Sequence, residues 1–223
     1  MNFKHPIILG SSSPRRKFLL QEAGFTFTVV SPEIDESYPD SLPPNEVPAF
    51  LAQKKADAFQ KISNDAIVIT ADTIVILNSR ILNKPNDRTE AISMLMDLSG
   101  KTHTVITSVC LSYHKKRNCF DDFSYVTFRN IGRSEIENYV DSYKPFDKAG
   151  AYGAQECLPS GYNPCSIDEI EFLQRIDNLN LIENSIVRKG ISGVSIIEKI
   201  EGSYFNVMGL PIHLVHQHIQ NFG

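Results

Sequence analysis

Asp72 has more chemistry to account for than any other residue in this sequence. It interrupts an apolar, β-branched run at 66–77, and a carboxylate at the end of a Val-Ile-Thr-Ala strand is costly to bury without a cation or a metal beside it. Such a group can bind a divalent ion or take a proton from water; the plainer alternative is a strand-end carboxylate that caps a neighbouring backbone. A second signal is Gly10-Ser11-Ser12-Ser13-Pro14-Arg15-Arg16, where the free N–H groups of a helix start, hydroxyl donors and two guanidiniums suit a phosphate chain. The glycines and the GK[ST] ending of a Walker loop are absent, and a well-capped helix with two solvated arginines would leave the same letters.

Further charged and amide side chains have a weaker claim. Glu33, Asp35 and Glu36 fall in one loop-like stretch that could supply a second metal-binding carboxylate, although a solvated acidic loop is the default. Lys55 and Lys84 could serve as point charges for phosphates or lie on the surface. The stretch 148–155 has small residues on either side of Tyr152 and ends in Gln155, whose amide could read a base edge through a paired donor and acceptor. His213, His216 and His218 lack the i, i+4 spacing of a helical zinc pair throughout and share their segment with Leu210, Leu214 and Val215, which reads as a partly packed face. No Ser-His-Asp or Cys-His order stands out, so covalent catalysis is not expected.

These residues need elements to position them. Ile7–Leu9 reads as a short buried strand, Ser13 and Pro14 as a helix entry, and Gly24 as its stop. A strand at 25–30, a helix capped by Asn45, the strand carrying Asp72, and a helix opened by Asp87 with Glu90 and closed by Gly100 follow. Next come a long hairpin of 102–113 and 120–131 joined by a turn at 115–118, a helix opened by Ser134 with Glu137, a strand at 194–200 and a last helix at 210–219. Phe205 and Met208 read as core. This alternation, without repeats or low-complexity tracts, predicts a single α/β domain of two lobes around a cleft.

The chain has 223 residues, 42% of them hydrophobic, and a formal net charge of -4. That composition suits a soluble globular protein and argues against a broad basic surface for a nucleic-acid polymer, so an anionic partner must meet a focused site. The opening MNFKHPIILGSSSPRR has too short an apolar run for a signal peptide or a membrane span, and a cytoplasmic protein is expected. Cys110, Cys119, Cys157 and Cys165 show no CxxC pairing; in a reducing compartment they are expected to be buried or free thiols rather than staples or zinc ligands.

Taken in order, SSSPRR, EIDE, LAQKKA, TADTIV, NKP, LSGKTHTVIT, DKAGAYGAQ and GSYFNVMGLP resemble the Maf family of nucleotide pyrophosphatases over residues 7–214. The resemblance implies an elongated mixed α/β sheet with helices, two lobes around a cleft, similar to inosine triphosphatases. Asp72 matches the family's catalytic aspartate. Ser11, Ser13, Arg15 and Arg16 match its phosphate-facing residues, and Glu36, Lys55 and Lys84 its remaining charged pocket residues. Arg15, Thr73 and Gln155 match positions linked to base choice, with the identities of the branch acting on dTTP and UTP, modified pyrimidine nucleotides being further candidates.

The implied chemistry is cleavage between the α and β phosphates, with Mg²⁺ or Mn²⁺ held by Asp72 and Glu36 and with Asp72 directing a water at the α-phosphorus. A homodimer is compatible with this reading. One departure stands out: residues 157–189 are extra relative to the family pattern, and Ile170, Phe172, Leu173, Ile176, Leu179 and Leu181 within them suggest an amphipathic helix that covers the pocket, extends a subunit contact or decorates the surface. The competing readings are a nucleotide-binding regulator of septum formation without turnover, and a pyrophosphatase acting on purine or modified purine triphosphates.

Overall fold

The computed structural model describes residues 3–31, 33–59, 65–186, 195–220 and 222. Strand β1 (Ile7–Leu9) is buried and apolar, and it runs parallel to β2 (Thr28–Val29) and to β3 (Ile67–Leu77). Between β1 and β2 lies α1 (Pro14–Glu22), entered as expected through Ser13, whose hydroxyl accepts from the Arg16 N–H at 3.5 Å. β2 is shorter than the expected 25–30 because both its residues are exposed at the sheet edge, where nothing packs on them to extend the pairing.

α2 (Val47–Asp57) does not start at Asn45, which lies inside a 3-10 turn, Pro44–Glu46, that leads into the helix. β3 continues through Asp72 to Leu77, so this carboxylate stands in the middle of a strand rather than at its end. β4 (Arg80–Leu82) folds back antiparallel onto the end of β3. α3 (Arg88–Leu98) is capped by Asp87, which accepts from the Glu90 N–H at 2.8 Å, while Glu90 itself turns to the Asn86 N–H at 2.7 Å.

β5 (Thr102–Tyr113) and β6 (Lys116–Phe128) form a longer hairpin than expected, because the turn is at His114 and Lys115 rather than at 115–118. His114 has the positive φ, 51°, of a tight two-residue connection. The shift resets the register: Cys110 faces Cys119 with their Cα atoms 4.2 Å apart, and the two form a disulfide. Cys157 and Cys165 are free, so the expectation of unpaired thiols holds for only half of the cysteines.

α4 (Arg133–Tyr143) is entered at Gly132 and not at Ser134: Glu135 accepts from the Gly132 N–H, and Glu137 pairs instead with Arg133 one turn back. The chain then forms α5 (Ala154–Cys157), α6 (Ile167–Arg175), α7 (Asn180–Ser185), β7 (Ile197–Glu201), α8 (Tyr204–Met208) and α9 (Ile212–Gln220). β7 overlaps the region expected as strand and runs one residue past it, though Val194 lies outside the described residues, as do residues 187–189 of the stretch expected to be extra. Phe205 and Met208 are core residues as expected, but the short helix that carries them was not foreseen.

The result is a mixed sheet ordered β2-β1-β3-β5-β6-β7, with β4 beside β3. α2 covers one face, where Val47 and Leu51 pack on Ile74 and Ile106. The opposite face carries the larger core, to which the remaining helices contribute. One feature of the sheet makes room for a site. β1 leaves β3 after the Leu9–Ile69 pair, and β4 joins β3 only at Val75, so residues 70–74 present an edge with no strand beside it. Gly10 marks the exit of β1, since a Cβ there would stand 2.8 Å from both Phe59 and Thr70.

The C-terminal histidines are packed: His216 lies against Phe3, Phe25 and Phe172, and His218 stacks on Phe120 at 4.1 Å. Among the described residues no helix is long and apolar enough to cross a membrane. On the same side of β6, Asp122 has a carboxylate oxygen that is buried without a hydrogen-bond partner. Burial, with Glu169 nearby, raises its pKa from 3.8 to about 6. The folded state therefore binds the proton more tightly than the unfolded state, and stability falls as pH rises through this window. We expect Asp122→Asn to be more stable than wild type above pH 6, by about 2 kcal/mol once partial exposure is allowed for. Urea unfolding at a series of pH values should show the gain shrinking to nothing below about pH 4.

Candidate active site

The open edge of β3 is the floor of a cleft of about 880 Å³, lined by the loop after β1, the loop before α2, residues after β4 and the segment before α5. The edge carbonyl of Ala71 cannot stay buried without a donor, and Arg16 supplies it at 2.9 Å. The same guanidinium donates to Ser11 Oγ at 3.1 Å, to Thr73 Oγ1 at 3.0 Å and, through Nε, to the Gly209 carbonyl at 2.8 Å. Arg16 thus ties α1, β3 and the turn after α8 together at one buried point. Burial pulls its pKa down, and the charges of Asp72 and Glu36 oppose that shift.

Ser11 Oγ accepts from Arg16 and also from the Ser13 N–H at 3.2 Å. With both of its acceptor sites filled, its own proton is left to donate into the cleft. Arg15, one residue earlier in the helix, points the other way: its side chain is a quarter exposed and its Nη1 lies 3.1 Å from Asp147. The two adjacent arginines therefore have different environments, which their shared motif conceals.

On the α2 side of β3, Asp72 meets Lys55, with Nζ 2.6 Å from Oδ1. Glu36 approaches the same ammonium at 2.8 Å. Partial burial pushes the Glu36 carboxyl up, but Lys55, with Lys84 and Arg16 behind it, more than offsets this and holds its pKa below the ordinary value. Asp35, by contrast, turns to Lys54 and Ser37 and stays exposed. Glu33 lines the cleft beside Glu36.

The alternation of a strand sends Thr73 to the opposite face from Asp72. There its hydroxyl lies 2.9 Å from that of Thr107, its partner across the sheet. Gln155 enters from the same side, buried and lining the cleft, with Oε1 unpaired. Its segment is held from behind by Tyr139, which accepts from the Gly153 N–H at 3.0 Å and donates to Glu156 at 2.7 Å. Tyr152 lines the cleft too, its hydroxyl 2.7 Å from His103, a residue that burial keeps neutral with a pKa near 3.

The ten residues matched to the family's site, Ser11, Ser13, Arg15, Arg16, Glu36, Lys55, Asp72, Thr73, Lys84 and Gln155, line this one cleft, whereas the other candidates Asp35, His213, His216 and His218 do not. Sequence reasoning missed the supports: Tyr139, Thr107, and the chain of charges from Arg15 through Asp147 to Lys148 and Glu156, at 3.1, 2.8 and 3.5 Å. Asp147 and Lys148 sit in the DKAGAYGAQ motif and so were open to inspection. Tyr139 is a helix residue with no sequence mark to separate it from ordinary core.

A family model described as Maf-like protein matches residues 6–160. The chain belongs to the Maf family. A relative from Porphyromonas gingivalis is 39% identical over 224 residues, spanning 99% of this chain and 96% of its own, and is named dTTP/UTP pyrophosphatase. Relatives of the same name from Bacteroides fragilis and Parabacteroides distasonis are 41% and 39% identical, each spanning at least 97% of this chain and 96% of the relative. The match to the Maf model ends at residue 160, just inside the stretch 157–189 expected to be extra and ahead of the GSYFNVMGLP segment that supplies Gly209.

The Maf motif SSSPRR thus contains two arginines with different expected phenotypes. Arg16→Ala leaves the carbonyls of Ala71 and Gly209 unpaired, and we expect a loss of about 3 kcal/mol in urea unfolding together with loss of activity. Arg15→Ala removes one exposed pair and should change stability by less than about 1 kcal/mol while weakening catalysis.

Proposed function

We propose that this Maf-family chain hydrolyses dTTP and UTP to the monophosphate and pyrophosphate, in the cytoplasm, at the cleft beside the open edge of β3. The observation that supports this most directly is the grouping of Asp72, Lys55 and Glu36 within 2.8 Å contacts on the face of β3 opposite to Thr73 and Gln155. Three relatives named for this activity align over nearly the whole chain.

The donor set suits a hard divalent cation. Asp72 and Glu36 converge on a single ammonium and each has a second oxygen to offer, which matches the one or two carboxylates that Mg²⁺ or Mn²⁺ takes alongside substrate phosphates. When bound there, the metal would neutralise phosphate charge and polarise the bridging oxygens. The chain's own residues do the rest. Asp72 orients a water towards the α-phosphorus and accepts its proton. Lys55 holds the Asp72 carboxylate in place before substrate arrives, and with Lys84 and Arg15 it balances the charge that grows on the departing pyrophosphate. Ser11 donates its free proton to a phosphate oxygen, and Ser13 and Arg16 keep the loop in the shape that allows this.

Base choice falls to the other face. A uracil or thymine ring offers an N3–H donor between two carbonyl acceptors, and an unpaired buried amide carbonyl such as Gln155 Oε1 is the complementary group. Cytosine has an acceptor at that position and would leave two acceptors facing each other. Thr73 and Arg15 flank the same space.

Pyrophosphate release should be measured for a panel of canonical and modified nucleoside triphosphates, with Mg²⁺, Mn²⁺ or EDTA. We expect release from dTTP and UTP, abolition by EDTA, and a loss of at least about a hundredfold in Asp72→Asn with folding intact. A preference for purines would overturn the pyrimidine assignment. Nucleotide-dependent thermal stabilisation without any release would replace the enzyme by a nucleotide-binding regulator.

A further inference from the structure

We infer that Glu169, in the stretch beyond the family pattern, is a positioning residue for the active site. Glu169 is fully buried and lies in α6, far from the cleft lining. A buried carboxylate is tolerated only when hydrogen-bonded on all sides, and Glu169 has four donors. Oε1 accepts from the Ser203 hydroxyl at 2.6 Å and the Phe205 N–H at 2.8 Å; Oε2 accepts from the Tyr204 N–H at 3.0 Å and the Ser166 N–H at 2.8 Å. Three of the four belong to the start of α8. This carboxylate therefore satisfies the free amides of a short helix that has little strength of its own.

α8 in turn connects to the site. Its Asn206 donates to the Val105 carbonyl at 3.1 Å and to Ser124 at 2.8 Å, and accepts from Thr107 at 2.9 Å through its backbone carbonyl. The Gly209 carbonyl at its end receives Arg16 Nε at 2.8 Å. A path of hydrogen bonds thus runs from Glu169 through α8 to Arg16, and from Arg16 to Ser11 and the Ala71 edge beside Asp72. The extra stretch is anchored for this purpose: Phe172, Leu173 and Leu181 are fully buried, and Asn178 donates to the Glu22 carbonyl at 2.7 Å. None of its described residues lines the cleft, so it acts from behind rather than as a cover over the pocket.

This inference rests on the proposed pyrophosphatase reading, and its test is built to separate the two. Glu169→Gln keeps the shape but turns an amide NH₂ towards two N–H donors. Leu173→Ala opens a cavity in the same helix without touching α8's amides, and serves as the stability control. Both are compared with wild type for dTTP turnover well below their melting temperatures, and for hydrogen exchange at 204–209 and 71–73. We expect Glu169→Gln to lose at least about tenfold in kcat with KM changed less than about threefold, because small misplacements act on the transition state, and to exchange faster in both segments. Leu173→Ala should keep kcat within about twofold at a comparable fall in Tm.

Wild-type kcat in folded Glu169→Gln, or equal kcat losses in both variants, would overturn the inference. If Glu169→Gln does not fold, Ser203→Ala, which removes one donor to Glu169, decides by the same measures: a kcat loss supports the inference and wild-type kcat overturns it. If wild type releases no pyrophosphate from any nucleotide, the proposed function fails. Exchange then decides alone: faster exchange at 204–209 and 71–73 in Glu169→Gln upholds the path, and unchanged exchange overturns it.

Discussion

The guanidinium of Arg16 is the interaction on which the rest of this structure depends. A sheet that stops pairing for five residues along one edge has a stretch of backbone with unmet hydrogen bonds, and a protein interior cannot leave them so. Water could fill the gap, but then no side-chain geometry would be fixed there. Arg16 instead takes the Ala71 carbonyl from inside the gap and uses its other N–H groups to hold Ser11, Thr73 and the end of α8. A planar fork with several donors suits this task, whereas a lysine ammonium would reach fewer acceptors in fixed directions. The break in the sheet is thereby both open to a ligand and rigid.

The charge pattern follows from the same break. Arg16 is buried, and its charge adds to that of Lys55 and Lys84 in holding the Glu36 carboxyl below its ordinary pKa. The Asp72 and Glu36 carboxylates would repel each other if they met directly, and Lys55 stands between them at hydrogen-bonding distance from both. Three side chains from β3, α2 and the loop between β2 and α2 are therefore interdependent. Removing one leaves the others with a charge the local fold was built to balance. A strongly anionic substrate entering this space meets cations already held in position, so less reorganisation remains for the reaction itself.

Much of this was legible in the sequence, and the failures have physical causes. The Ser13-Pro14 entry and the Asp87 cap were readable because each is a local interaction between neighbours in the chain, whereas the continuation of β3 past Asp72 depends on pairing with β5. The ten residues matched to the family's motifs all line the cleft, because those motifs come together at the open edge of β3. The hairpin turn was misplaced by about two residues, since His114-Lys115 carries no Gly or Asn to signal a tight turn. That one slip hid the Cys110–Cys119 pairing, which depends wholly on register. Asn45 and Ser134 are not the caps because Asn45 is taken up in the 3-10 turn that leads into α2, and α4 is entered two residues earlier by the bond of Glu135 to the Gly132 N–H, a glycine with no side chain to mark it. The stretch 157–189 forms two helices, α6 and α7, among its described residues rather than the single amphipathic helix expected, and sequence periodicity does not say which surface such a helix will meet. Its polar residue Glu169, on the buried side of the helix, was the clue that pattern reading passed over.

Asp72 and Thr73 are adjacent in sequence, yet the pleat of β3 sends them to opposite faces of the sheet. The carboxylate meets α2 and its lysine, and the hydroxyl meets the layer that holds Gln155. Along a complete sheet these two faces would be closed off from each other by neighbouring strands. Here the missing strand leaves the edge open to the cleft, and the proposed nucleotide would lie across it with its phosphates on the charged face and its base on the other. In that arrangement the two halves of the ligand would meet different constraints: fixed charge on one side, and an unpaired amide carbonyl on the other. The inferred brace behind α8 would reach this edge through Arg16, whose guanidinium holds the Ala71 carbonyl, Ser11, Thr73 and the Gly209 carbonyl at once.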